Sequence, residues 1–347
     1  MSVKKKFLII VVCFAVSFAS CKKSSPDTGG NTTPPKDSSF FAKGADISWV
    51  SQMESDNVKF YNSLGVQEDC FQIMKDLGLN AIRLRAWVNP ADGWCSTKDM
   101  VEKAIRAKNL GFKIMIDLHY SDIWADPGHQ TKPAAWDSLD FHGLQSALSN
   151  YTLHIMDTLQ SNGITPQWVQ IGNETNDGML WEDGRASTNM AQFASLIQAG
   201  YSAVKSVSDS TKVIVHISNG YDNTLFRWVF DGLKANGANW DVIGMSLYPT
   251  TANWQSLNEQ CLVNMNDMIS RYGKQVMICE VGMDVTAAPT CESFLTDIIS
   301  KTRSIANGNG LGVFYWEPEC FSSWNGYGEG AFDDTGKPTV AMNAFAN

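Results

Sequence analysis

The sequence predicts a single (β/α)8 barrel, an α/β fold, from three observations. From position 41 onward, eight short apolar runs alternate with longer amphipathic stretches, the pattern of parallel strands and covering helices. Several amphipathic stretches end in glycine-containing turns just before the next apolar run: Leu77-Gly78-Leu79-Asn80, Asn109-Leu110-Gly111 and Gly308-Asn309-Gly310. Glycine there supplies the left-handed conformation of a helix C-cap. The 307 residues after position 40 of the 347 suit one barrel domain. A doubly wound open sheet is the alternative, and it calls for a glycine-rich phosphate loop after a strand. The loop Gly172-Asn173-Glu174-Thr175-Asn176-Asp177-Gly178 lacks that spacing.

The first 40 residues stand apart. Lys4-Lys5-Lys6 precede an apolar run from Phe7 to Phe18 and then Ala19-Ser20-Cys21. This is a secretory signal, too short to span a membrane. A cysteine after two small residues resembles the cleavage site of a bacterial lipoprotein, with Phe18 where leucine is usual. Residues 1–20 are then a removed signal and Cys21 a lipidated first residue, giving an exported protein anchored to the cell envelope, at the outer membrane. Ordinary cleavage with an incidental Cys21 thiol is the other reading. Residues 21–40, rich in Lys, Ser, Pro, Asp, Gly and Thr, form a flexible tether. The barrel domain is 41–347.

Taken in order, the expected strands cover 44–48, 81–87, 113–120, 167–174, 212–219, 241–248, 275–281 and 312–317. Helices are expected around 70–77, 97–110, 142–162, 188–208, 223–236, 253–272 and 291–306. Export permits disulfides, but Cys70, Cys95, Cys261, Cys279, Cys291 and Cys320 lack the paired short spacing of a zinc site. Cys279, inside an apolar strand, reads as a buried free thiol.

A formal net charge of −9 argues against nucleic acid as a partner, because phosphate contacts dominate that affinity. In a barrel the active site lies at the C-terminal strand ends. The polar residues there are Asp46 and Ser48; Arg83 and Arg85; Asp117, His119 and Asp122; Asn173 and Glu174; His216 and Asn219; Tyr248; Glu280; and Glu317. Glu174 and Glu280 stand out, each ending an apolar strand, the fourth and the seventh. Singly, each reads equally as a capping or salt-bridging residue. Together they are what glycoside hydrolysis needs, one carboxyl protonated and one ionised, with environments that push their pKa values apart. Asn173 is placed to hydrogen-bond a sugar hydroxyl, Tyr248 to hold the Glu280 carboxyl, and Arg83 to keep Glu280 ionised. Metal-dependent hydrolysis wants several strand-end histidines, and of the five present His142 and His154 fall on a helix. A Gly-x-Ser-x-Gly nucleophile elbow is absent.

Four stretches carry a resemblance: Ile82-Arg83-Leu84-Arg85-Ala86-Trp87-Val88-Asn89-Pro90, the run from Asp117-Leu118-His119-Tyr120-Ser121-Asp122 through Trp124-Ala125-Asp126-Pro127 to Gln130, Ile171-Gly172-Asn173-Glu174, and Phe314-Tyr315-Trp316-Glu317-Pro318. They are similar to the endo-β-1,4-galactanases of glycoside hydrolase family 53, and the likeness runs from about Gly44 to Pro318. It implies a retaining enzyme that cuts β-1,4-galactan side chains of pectin, with Glu174 as acid/base and Glu280 as nucleophile. It also implies Arg83, His119, Asp122, Asn173 and Tyr248 around the reacting sugar, and Trp87, Trp124 and Trp316 as groove walls. Trp136 and Trp181 are weaker candidates, and barrel packing is the competing role for every Trp. Some bacterial members bind calcium through an acidic, His-containing insertion after the nucleophile strand. Here 281–286 is short and carries one carboxylate, Asp284, so no metal or other cofactor is expected there, and fewer sugar subsites. The expected state is a monomer. Two other functions compete: another β-glycanase of the same clan, such as a mannanase or cellulase, and a surface lipoprotein that binds glycans without cutting them.

Overall fold

The computed structural model describes residues 40–321 and 324–346. The signal, Cys21 and the tether thus lie outside the described residues, Phe40 excepted. Eight parallel strands close into a barrel in chain order: β1 (Ala42–Asp46), β2 (Ala81–Ala86), β3 (Lys113–Leu118), β4 (Trp168–Ile171), β5 (Lys212–Ile217), β6 (Val242–Leu247), β7 (Gln275–Val281) and β8 (Gly310–Trp316). The helices are α1 (Val50–Ser55), α2 (Cys70–Asp76), α3 (Thr97–Asn109), α4 (Phe141–Ser161), α5 (Ala186–Val207), α6 (Asn223–Ala235), α7 (Trp254–Tyr272) and α8 (Ala288–Ser304). Asp69, Ser96, Asp140 and Asp222 start α2, α3, α4 and α6 by accepting backbone N–H groups. Helix α1 was not expected, since it buries only Val50 and Met53 and is too short to show a period. After β8, a 3-10 segment at Val340–Phe345 packs against α8 and buries Ala341, Met342, Ala344 and Phe345.

Side chains alternate across each strand, and the inward rows explain what the barrel holds. Its lower layer is apolar: Ala42, Ala81, Met115, Trp168, Ile214, Val242, Met277 and Phe314 cluster there. Two residues further along, the same rows reach Gly44, Arg83, Asp117, Gln170, His216 and Gly244. A Cβ at Gly44 would lie 2.2 Å from Phe314 Cδ1, so only glycine leaves that ring its place. The upper interior is therefore a polar floor under the strand ends, fully buried at Arg83, Asp117, Gln170 and His216.

Two strand ends depart from regularity where the site is built. Strand four, expected to run to 174, stops at Ile171 because Gly172 turns left-handed (φ 81°). A Cβ there would lie 2.6 Å from Thr175 Cγ2, so the turn requires glycine. In β7, Met277 and Cys279 both face the interior, and strict alternation would turn Glu280 outward. The pairing shifts register against β6 between Met245 and Ser246, and against β8 between Ile278 and Val281. Such an irregularity re-aims a side chain, and Glu280 faces the barrel mouth.

Candidate active site

Four non-glycine residues just past the strand ends adopt the left-handed region: Tyr120 (φ 51°), Glu174 (φ 44°), Asn219 (φ 56°) and Glu317 (φ 50°). Each costs on the order of 1–3 kcal/mol, which persists only where the surroundings over-determine it. At Glu174 the next residue is pinned, because Thr175 donates its N–H to the His216 carbonyl at 2.9 Å. The turn delivers the Glu174 carboxyl into a cavity of about 320 Å³ at the C-terminal end of the barrel. Glu280 lines the same cavity from β7, beside His119, Asn173, Tyr248 and Trp316. A second cavity of about 510 Å³ adjoins it on the β1–β2 side, walled by Trp49, Trp87, Trp124 and Trp316. The two share Trp124, Trp316 and Tyr327 and so form two limbs of one cleft.

Beneath Glu280 lies a buried charge network centred on Arg83. Its guanidinium reaches Asp46 at 2.7 Å, Asp117 at 2.8 Å and Glu280 Oε1 at 2.7 Å. The Glu280 contact is ionic, without the alignment of a hydrogen bond. Arg83 Nε donates to Gln170 Oε1 at 2.8 Å, and Nη2 to Asn173 Oδ1 at 3.0 Å. The Tyr248 hydroxyl donates to Glu280 Oε2 at 3.0 Å. Glu174 has a different neighbour: the Ser246 hydroxyl donates to its Oε1 at 2.6 Å, and His216 Nε2 stands 2.8 Å from that hydroxyl. His119 Nδ1 accepts from Trp87 Nε1 at 3.2 Å and from Ala125 N at 3.1 Å. Its proton is therefore on Nε2, which donates to Asp117 at 2.8 Å.

Burial dominates the titration of both carboxyls. It pushes Glu174 up to about 7, against the Ser246 hydrogen bond and the Arg83 charge. It pushes Glu280 up to about 8 against the pull of Arg83, with the charge of Glu174 adding to the rise. Burial and Arg83 together hold His216 well below the ordinary imidazole value, so it is neutral.

Most of the sequence-derived candidates meet here. Arg83 forms the floor; His119, Asn173, Glu174, Tyr248 and Glu280 line the inner limb. Trp124 and Trp316 line both limbs, and Trp87 lines the outer one. Asn173 spends its Oδ1 on Arg83 and one amide N–H on the Ala125 carbonyl at 2.8 Å, keeping one N–H for a ligand. Asp122 is not brought to the cleft. Its two carboxylate oxygens accept Asn89 N and Ala134 N, each at 2.9 Å, stapling two loops instead. Trp136 packs in the core against Tyr120 and Tyr151, and Trp181 lies 3.7 Å under the Arg185 guanidinium, outside both limbs. His142 and His154 are exposed on α4. Six cysteines are buried and unpaired, Cys279 among them. Trp49, Asp126, Ser246, Tyr327 and Glu329 also build the site without having been singled out. Ser246 had a signal, since it shares the inward row of β6 with Val242 and Gly244.

The family model described as glycosyl hydrolase family 53 matches residues 42–292. A protein of Aspergillus fumigatus named probable arabinogalactan endo-β-1,4-galactanase A is 32% identical over 302 residues, covering 81% of this chain and 84% of its own length. An arabinogalactan endo-β-1,4-galactanase of Thermothelomyces thermophilus is 33% identical over 314 residues, covering 84% and 93%. A solved structure, one of two fungal β-1,4-galactanases, superposes with a TM-score of 0.83 at 30% identity, covering 89% of this chain and all of its own.

Proposed function

The chain belongs to glycosyl hydrolase family 53, and from that membership we propose how its cleft works as a glycoside hydrolase, an endo-1,4-β-galactanase acting on arabinogalactan. The finer reading is double displacement with retention of anomeric configuration, on the β-1,4-galactan side chains of pectin. The supporting observation is that two raised carboxyls, differently partnered, line one cavity. Their shifts alone make Glu280 the weaker acid. The contacts favour the reverse, because Glu280 touches both the Arg83 guanidinium and the Tyr248 hydroxyl, whereas Glu174 accepts the Ser246 hydroxyl and feels Arg83 without an ion-pair contact among the described residues. The proton that the pair retains then sits on Glu174.

On this reading Glu174 protonates the glycosidic oxygen while the Glu280 carboxylate attacks the anomeric carbon. The C–O bond to the leaving sugar breaks and a glycosyl ester forms on Glu280. Glu174, now ionised, takes a proton from water, which attacks the anomeric carbon from the face the leaving sugar vacated, opposite the ester, and releases the Glu280 carboxylate. His119, Asn173 and Tyr248 position the reacting sugar, and the indoles of the outer limb stack on further sugar units. Apolar faces of pyranose rings suit such walls.

The test is a time course on linear β-1,4-galactan, with products separated by chromatography and the first-formed anomer read by proton NMR. Medium-length oligosaccharides appearing first, as the β-anomer, support the reading. First-formed α-anomer overturns retention. Intact galactan alongside cut mannan or cellulose assigns another β-glycanase activity, and binding without any cutting assigns a capture protein.

We also propose export and anchoring through a lipid on Cys21, supported by the sequence of residues 4–21. Labelled fatty acid incorporated by the natural chain but lost in Cys21→Ser supports it; equal labelling of both overturns it.

A further inference from the structure

Arg85 follows Arg83 by two residues on the inward row of β2, yet its surroundings differ. Its guanidinium is fully buried. Nη1 donates to Glu317 Oε1, and Asp46 stands 3.9 Å away. Nε and Nη2 have no hydrogen-bond acceptor among the described residues. Indole rings surround them instead. The guanidinium carbon lies 4.4 Å from the Trp124 ring centroid, 5.1 Å from Trp49, 5.6 Å from Trp87 and 5.9 Å from Trp316. These are cation–π distances, and the planar guanidinium is the cation best shaped for them.

The same four indoles wall the outer limb of the cleft. They also meet one another, Trp49 with Trp316 at 5.3 Å, Trp87 with Trp124 at 5.1 Å and Trp124 with Trp316 at 5.7 Å. Arg85 thus sits behind the wall as its hub. Its partner Glu317 extends that hold to the backbone, since Glu317 Oε2 accepts the N–H of Trp49 at 3.1 Å. Burying a guanidinium is costly, and an apolar side chain of like volume would pack there without the cost. The charge therefore has a use beyond filling space.

We propose that Arg85 is a positioning residue that holds Trp49, Trp87, Trp124 and Trp316 as a preformed wall for sugar units beyond the one at the Glu174–Glu280 pair. This rests on reading the outer limb as a carbohydrate groove. Arg85 acts on the polysaccharide through the indoles alone and takes no part in bond breaking. Its removal loosens the wall, so binding of long chains weakens while the chemical step is largely kept.

The test compares Arg85→Met and Arg85→Lys with the natural protein on linear galactan, with thermal melting as a control. In Arg85→Met, KM should rise about tenfold, the worth of one or two cation–π contacts, while kcat falls less than about threefold. Quenching of indole fluorescence by a galactose tetrasaccharide should need correspondingly more ligand. Arg85→Lys, which keeps the cation, should recover part of the KM. An unchanged KM, a fall in kcat at constant KM, or a Lys variant no better than Met overturns the proposal. If Arg85→Met does not fold, the KM-against-kcat split of Arg85→Lys decides. If the natural protein leaves galactan intact and cuts another β-glycan, the function reading has failed and the same split is read on that glycan.

Discussion

The Ser246 hydroxyl donates to Glu174 Oε1 across 2.6 Å, linking β6 to the turn after β4. Behind it, His216 Nε2 is 2.8 Å from the same hydroxyl, and burial with Arg83 keeps that imidazole neutral. A neutral donor chain thus favours the ionised form of Glu174 and opposes the rise that burial causes. Ser246→Ala removes that opposition. Glu174 should then hold its proton to higher pH, and the alkaline limb of the pH–rate profile should move up by about one pH unit from its place near 7. A limb that stays put or moves down contradicts the assignment of the acid to Glu174.

The two carboxyls should fail differently when removed. Glu280→Ala should abolish galactan hydrolysis while galactan still binds, which affinity electrophoresis in galactan gels reads directly. Measurable turnover by that variant refutes the nucleophile role. Glu174→Ala should lose roughly 10²–10⁴-fold in kcat on galactan. It should lose much less on an aryl galactoside whose leaving group needs no proton.

Arg83 is the only cation within 4 Å of Asp46 Oδ2, Asp117 Oδ2 and Glu280 among the Lys and Arg pairs of the described residues. Arg83→Met leaves those carboxylates buried without it, a loss on the order of 3–5 kcal/mol. Urea unfolding should show it as a lower midpoint with little change in slope. Arg83→Lys should recover only part, because one ammonium cannot also replace the Nε bond to Gln170.

Glu319 is fully buried just past β8, both its oxygens without a donor among the described residues, beside Glu317. Burial first, and then the charge of Glu317, hold its carboxyl well above the ordinary value of 4.5. A carboxyl raised in the folded state binds its proton more tightly there than when unfolded. Its contribution to stability is therefore full below about 4.5 and declines as pH climbs from there through the raised value. Glu319→Gln keeps the shape and removes the titration. Its melting temperature should gain on the natural protein by a few degrees between about pH 5 and pH 8. A gap that is constant or narrows over that range contradicts a raised Glu319.

Much of the barrel was legible because each strand keeps a dense apolar lower half; Met115, Trp168 and Ile214 mark it plainly. Glu174 and Glu280 were legible as carboxylates in places where packing alone does not want them. Other features depended on partners that a linear reading does not pair. Asp122 sits in a motif-rich run, but its direction follows from two loop amides at Asn89 and Ala134. Trp49 lies past the end of β1, and its contacts with Arg85 from β2 and Glu317 just past β8 bring it to the wall. The end of β4 was overrun because Asn173 and Glu174 follow an apolar run, while Gly172 breaks the ladder through its backbone torsion. Reading every inward row to its last residue, rather than looking for carboxylates alone, would have reached Ser246.

The left-handed backbone of Glu174 sets thermal hardiness against turnover. Glycine at 174 would relieve the torsion at φ 44° and delete a carboxyl that burial has already pushed up to about 7. Directed evolution that ranks variants by heat resistance alone would then reward the loss of the carboxyl proposed here as acid/base and drift toward an inert barrel. A campaign to harden this protein has to score sugar release in every round, or confine its library to positions away from the barrel mouth.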